Sequence, residues 1–253
     1  MAPRPVKRPA PRSASATTAV PLIHGRNAVL EAARAGRVLK VFQASGLGHD
    51  PRLDELARLT RIEVVETARL DVIAPGVHQG VAAELKPRKE WALKELLAIN
   101  PALLVALDSI MDPQNLGAIM RSAEVAGAEG AIIPEHRSAP LSPAAVKASS
   151  GASELLRIAH VSGLPSAIPE IKRSGIWCVA LDPRGEMQAW EFDFTQRVCV
   201  VVGSEGEGVH RLVKERCDAR VRLPVKGHIA SLNASAAAAA LLYEVTRQRA
   251  ADV

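Results

Sequence analysis

Ala102–Leu107 (ALLVAL) and Val198–Val202 (VCVVV) are apolar at every position, and Ile176–Leu181 is nearly so. A strand with one wet face alternates apolar and polar residues, so an unbroken run marks a strand buried on both faces. Between and after these runs lie segments with helical spacing: Asn115 to about Ala126, Ser142–Ser149, Pro165–Ser174, His210–Cys217 and a long Leu232–Arg249. Shorter strands are predicted at Ala131–Ile133, Leu155–Val161 and Ala219–Leu223. Strands alternating with helices fold as a mostly parallel sheet with helices on both faces, the α/β class.

That unit occupies residues 98–253. A smaller α/β unit is predicted at 20–86, with helices at Asn27–Ala35 and Arg52–Thr60 and strands at Val38–Ala44, Ile62–Val65 and Val81–Leu85. Residues 87–97 read as a connector, entered through the basic, proline-broken Lys86-Pro87-Arg88-Lys89. Residues 1–19 carry bases and prolines but no apolar core, so they read as a disordered basic tail rather than a secretory signal. The prolines also argue against the amphipathic helix of a transit peptide.

The net charge of +5 points to a polyanionic partner, although four of the bases (Arg4, Lys7, Arg8, Arg12) sit in the tail. Aromatic residues make up only 3%, which argues against single-strand binding by rows of stacking rings. The three cysteines form no CxxC pair and the seven histidines are dispersed, so neither a zinc site nor a disulfide framework is expected. Reduced thiols fit a cytoplasmic setting. No eighteen-residue apolar stretch occurs, so no membrane span is expected.

Ligands of open parallel sheets bind beyond the carboxyl ends of the strands. Three loops there stand out. Asp108-Ser-Ile-Met-Asp-Pro-Gln-Asn115 leads into a helix whose Gly117, Arg121 and Glu124 lie opposite the apolar stripe Leu116, Ile119, Met120, Ala123. Read alone, Asn115 serves equally well as an N-cap and Arg121–Glu124 as a surface pair. Gly203-Ser-Glu205-Gly-Glu-Gly208 places three glycines after a buried strand. It matches neither a dinucleotide fingerprint nor a nucleoside-triphosphate loop, and its acids suit an uncharged or cationic ligand better than a phosphate. A flexible hairpin accounts for it equally well. Leu223-Pro-Val-Lys-Gly-His-Ile-Ala-Ser231-Leu232-Asn233 enters an alanine-rich helix, with Ser231 or Asn233 as the plain N-cap. HExxH and GxSxG are absent.

Taken together, DPQNLGAIMRSAEVAGAEGAII, VVGSEGEGV and LPVKGHIASLNASAAAAALLYE resemble in order and spacing the three signature motifs of the SpoU (TrmH) family of the SPOUT superfamily. IHGRNAVLEA and HQGVAAEL look like the small N-terminal substrate-binding domain of many members. The resemblance implies an S-adenosylmethionine-dependent RNA ribose 2′-O-methyltransferase, a homodimer, and a C-terminal trefoil knot, which sequence reasoning alone never proposes. It places cofactor contacts on Gly203, Leu223 and Leu232. It places the catalytic set on Arg121, Asn115, Glu124, Glu205, Ser231 and Asn233, with no metal. Leu223, Val225-Lys226 and Ala234 depart from the usual residues, but no polar motif position is lost. Members with this N-terminal domain most often methylate a guanosine of 23S ribosomal RNA. Transfer RNA is the alternative substrate, and a non-catalytic RNA-binding protein on the same fold the rival class.

Overall fold

The structure, a computed structural model, describes residues 21–228 and 231–250. The tail read at 1–19 lies outside them. The first sheet is built from β1 (Leu22–His24), α1 (Arg26–Arg34), β2 (Val38–Ala44), α2 (Pro51–Leu59), β3 (Ile62–Val65), α3 (Thr67–Ile73) and β4 (Val81–Leu85). Its strand order is β1-β4-β2-β3. β4 runs antiparallel to β1 and β2, and β2 runs parallel to β3. Asp50 caps α2 by accepting from the Arg52 amide (2.9 Å), with Pro51 at the first helical position. The sequence pattern misses β1 and α3. β1 is three residues long, and α3 buries only Leu70, so neither leaves a periodic signal.

Within the stretch read as a connector, α4 (Leu93–Ala98) is a short helix. Its Leu96 is fully buried, and the Trp91 amide donates to Ile158 O (3.2 Å). The second sheet follows, with β5 (Leu103–Asp108), α5 (Pro113–Val125), β6 (Gly130–Pro134), α6 (Pro143–Ala148), α7 (Ala152–Leu155), β7 (Arg157–Val161), α8 (Leu164–Arg173), β8 (Trp177–Leu181), β9 (Met187–Gln188), β10 (Val198–Gly203), α9 (Arg211–Arg216), β11 (Ala219–Arg222) and α10 (Ala234–Ala250). Its order is β7-β6-β5-β10-β8-β11-β9, and every ladder in it is parallel. The fully apolar strands account for this. Leu103, Val105 and Leu107 pack to one side with α5 and α10, while Leu104 and Ala106 pack to the other with α4, α8 and α9. Each such buried Leu or Val side chain stabilises the fold by about 1.5–3 kcal/mol relative to exposure.

Two sequence boundaries are corrected. The helix expected from Asn115 starts at Pro113 and is capped by Asp112, whose carboxylate accepts from the Gln114 amide (3.0 Å), so Asn115 is not the cap. The strand expected from Leu155 begins at Arg157, because α7 takes Leu155. Cys178 and Cys199 are fully buried neighbours on β8 and β10, and all three thiols are free. Burial pushes the Cys217 thiol up to about 12.

Gly117 explains how closely α5 approaches α6. A Cβ there would overlap the Ala145 carbonyl oxygen and the Ala148 Cβ, and would lie 2.8 Å from the Ser149 nitrogen. Gly117→Ala should therefore destabilise the fold by about 1–3 kcal/mol. In a chain of this size that lowers the melting temperature by roughly 2–4 °C per kcal/mol, read by thermal denaturation.

Candidate active site

The strand order turns back between β5 and β10, so their carboxyl ends, Asp108 and Gly203, stand side by side in register. A crevice at such a switch point is where an open α/β sheet binds its ligand. Asp108 is buried and accepts from the His210 amide (2.6 Å), tying the start of α9 to the end of β5. The loop after β10 folds back on itself: the Gly208 amide donates to Ser204 O (3.0 Å), and Gly206 and Gly208 adopt positive φ. At Gly203 the returning chain passes so close that a Cβ would overlap Gly208 and the Val209 nitrogen. Glycine is demanded there by close backbone approach.

This loop forms one wall of a cavity of about 540 Å³. Gly203, Glu205, Leu223, Ser231 and Leu232 all line it, so five of the predicted site residues meet. Asn233 supplies the join. Its Nδ2 donates to Asn115 Oδ1 (3.0 Å) and to Glu205 Oε2 (3.1 Å), while its Oδ1 accepts from the Ser235 amide (2.9 Å) and the Ala236 amide (3.3 Å). One side chain thus caps α10 and ties the three motifs together. The N-cap reading of Asn233 holds, and the same side chain also bonds to Asn115 and Glu205.

Sequence reasoning missed a further wall, Leu181-Asp182-Pro183-Arg184 after β8, together with Lys214 of α9. The available signal was the same as for the other loops: a turn-forming polar stretch at the end of a buried strand. Asp182 is buried and pairs with Lys214 (2.9 Å). Burial opposes its ionisation, but the hydrogen bonds from Lys214 and the Arg184 amide outweigh burial and hold the carboxyl below its ordinary range. The lining carries three carboxylates (Asp182, Glu205, Glu207) against two cations (Arg184, Lys214), a balance that favours a ligand of net positive charge.

Arg121 and Glu124 do not line this cavity. Arg121 sits six residues along α5 from Asn115, about 9 Å of helix rise. It is exposed, and its Nη1 donates to Ser150 Oγ (3.1 Å). The surface pair Arg121–Glu124 is not formed, because the guanidinium turns to Ser150 instead. The basic residues of the N-terminal domain and the connector are largely engaged within the protein. Arg26 and Arg52 converge on Asp50 (2.5 and 2.7 Å), and Asn27 Oδ1 accepts from Arg52 (3.0 Å). Lys86 donates to Gly36 O (2.8 Å), and Lys89 lies over the Trp91 ring at 3.7 Å. Arg88 is mostly buried against Glu154 (2.5 Å) and is pushed down to about 10 by burial with Arg37 beside it. Among the described residues no cluster of His, Cys, Asp and Glu is placed to hold a metal, and no helix is long and apolar enough to cross a membrane.

Comparison with known proteins agrees with this geometry. Residues 102–243 match the SpoU rRNA Methylase family, and residues 22–91 match the RNA 2′-O ribose methyltransferase substrate binding domain. The chain is 38% identical over 225 residues to the 23S rRNA (guanosine-2′-O-)-methyltransferase RlmB of Pseudomonas syringae, covering 85% of this chain and 90% of that one. Among solved structures it is similar to the SpoU methyltransferase AviRb of Streptomyces viridochromogenes in complex with AdoMet (TM-score 0.76, 28% identity, 90% of each chain). It is also similar to an rRNA methyltransferase from Sinorhizobium meliloti (TM-score 0.72, 26% identity, 89% and 86% covered).

Gly203→Ala should weaken S-adenosylmethionine binding by more than about tenfold, because the added methyl forces the loop after β10 out of place. Isothermal titration of the folded variant reads the effect. Unchanged affinity would show that the cofactor does not use this loop.

Proposed function

The chain belongs to the SpoU rRNA methylase family, and from that premise we infer that its cavity serves methylation of a ribose 2′-hydroxyl in RNA, with S-adenosylmethionine as donor. The observation that carries this reading is the junction of Asn115, Glu205 and Asn233 at a cavity bounded by Gly203. The cavity has the size of a small-molecule site, and its surplus of one carboxylate complements a cofactor of net positive charge. Gly203, Leu223 and Leu232 would hold that cofactor, largely through main-chain groups, with Leu181 and Val225 supplying apolar contact. When bound, it supplies a methyl group activated by a positively charged sulfur.

Two tasks fall to the protein. It holds the ribose in line with the methyl group, and it eases ionisation of a weakly acidic hydroxyl. Guanidinium stays protonated in proteins, so Arg121 does not act as a base. Instead it stabilises negative charge developing on the 2′-oxygen and clamps the neighbouring phosphate. Asn115, held by Asn233, orients the ribose. Glu205 and Ser231 shape the pocket mouth, and Glu124 follows Arg121 on the same face of α5.

A homodimer completes the site in this reading, since Arg121 lies outside the lining of its own chain's cavity and a second copy brings the two together. Exposed Val125 of α5 and exposed Ala236, Ala240 and Tyr243 of α10 support such an interface, because α5 and α10 pack side by side. The C-terminal knot belongs to the same reading. It is supported by β10 lying between β5 and β8, with α10 returning onto α5. The Pseudomonas relative supports a guanosine of 23S ribosomal RNA as the target, recognised by the small N-terminal domain. The buried free thiols support a reducing, cytoplasmic setting.

Arg121→Ala should lower kcat by about 10²–10³-fold while S-adenosylmethionine affinity stays within about twofold. Arg121→Lys should remain poor, because it loses the bidentate fork. Wild-type turnover in Arg121→Ala removes the assigned role. Mixing Arg121→Ala with Gly203→Ala protomers should restore activity if the guanidinium acts across the dimer. If each chain builds its own site, the mixed dimers stay as inactive as their parents. Mapping 2′-O-methyl groups in total RNA, with and without the protein, identifies the nucleotide.

A further inference from the structure

The corner between α6 and α7, Ser149 to Glu154, touches both the helix that carries Arg121 and the small N-terminal domain. On one side, α5 meets it in backbone contact through Gly117, and Arg121 Nη1 donates to Ser150 Oγ (3.1 Å). On the other side, the N-terminal domain is packed against it. A Cβ on Gly151 would run into the side chain of Glu31 in α1, and Asn27 O lies 3.6 Å from that position. Val146 of α6 belongs to the N-terminal domain's own core cluster, and Lys147 Nζ donates to Val77 O (3.2 Å).

The corner is stiff. Ser149 is fully buried, and its hydroxyl donates to Val146 O (2.7 Å) and lies 3.1 Å from Ser153 Oγ. The Glu154 side chain is only 1% exposed. It is held by Arg37 from the N-terminal domain and by Arg88 from the connecting segment (2.5 Å). A buried carboxylate between two guanidiniums is costly to disturb, because removing any member leaves an uncompensated charge. Ser150 itself has φ of 51°, a left-handed conformation that a non-glycine residue adopts only when its surroundings hold it there. That backbone geometry aims its hydroxyl at Arg121.

We infer that Ser150 is a positioning residue for Arg121, and that through the Ser149–Glu154 corner the docked RNA-binding domain sets the orientation of the guanidinium. The inference rests on the reading of Arg121 as the group that acts on the ribose. Ser150 touches neither the cavity nor, in this assignment, the RNA; it acts by holding a guanidinium that otherwise has the full rotamer freedom of an exposed arginine. Asn27 stands at the start of α1, so a domain that grips RNA there is one residue contact away from the turn that holds Arg121.

The test uses full-length Ser150→Ala, Ser150→Gly and Ser150→Asn, with Arg121→Ala as reference, in steady-state methyl transfer to RNA. Ser150→Ala and Ser150→Gly remove the hydroxyl and should lower kcat by about tenfold. KM for RNA and cofactor affinity should stay within about twofold. Ser150→Gly also relieves the left-handed strain, so its melting temperature should equal or exceed that of the parent while kcat still falls. Ser150→Asn keeps an oxygen acceptor and tolerates positive φ, so it should recover most of the rate. Parent-like kcat in Ser150→Ala and Ser150→Gly, with Arg121→Ala inactive, overturns the positioning role and leaves the reading of Arg121 intact. Loss of kcat only in variants whose melting temperature also falls overturns it in favour of a structural role. Full activity in Arg121→Ala removes the reading itself, and the role of Ser150 falls with it.

Discussion

Asn233 is the residue on which the site geometry depends. Its amide nitrogen reaches across 118 residues to Asn115 and across 28 to Glu205, while its oxygen closes the first turn of α10. An amide oxygen and an amide N–H are both required, in a fixed relative orientation. Aspartate would cap the helix but would set a second carboxylate against Glu205, and alanine would leave three loops with no shared partner. The helix cap provides the rigidity, because α10 is anchored along its length by Ala238, Leu241, Leu242 and Val245 in the core. The apolar face of one helix therefore fixes the position of a hydrogen bond at the cavity mouth.

Much of this architecture is legible from the amino acids. Strands without alternation specify a sheet covered on both faces, and the loops worth inspecting follow from strand polarity. Gly203, Leu223, Ser231, Leu232 and Glu205 meet as their motif positions imply. Three things were not legible, for physical reasons. Asp112 rather than Asn115 caps α5, because Asp-Pro and Asn-Leu are both acceptable helix starts and only the backbone path chooses between them. The Leu181–Arg184 wall carries the same local signal as the other loops, a polar turn at a strand end, but that it faces the β10 loop depends on β8 lying beside β10, a sheet-order fact that local pattern does not carry. Arg88 reads in sequence only as part of a basic connector, yet it is committed to Glu154, a residue 66 positions away.

The same contrast separates the two halves of the site. The cavity assigned to the cofactor is shaped by main chain, glycines and buried strand ends of one chain. In the proposed reading, the half that acts on RNA depends on Arg121, whose guanidinium donates from outside the cavity to a serine in a left-handed turn. Affinity for the small molecule and reactivity toward the large one therefore rest on different parts of the fold, and a substitution can change one without the other.

The buried Glu154 has a consequence for how such a protein can diversify. A recognition module joined by a loose tether can be exchanged as a cassette, but here the junction itself demands matched chemistry. An incoming module must bring a cation where Arg37 stands and a flat helix face where Glu31 covers Gly151, or it leaves a buried carboxylate short of a partner. New RNA specificities are thus more accessible by altering the outward face of the resident domain than by recruiting a foreign one.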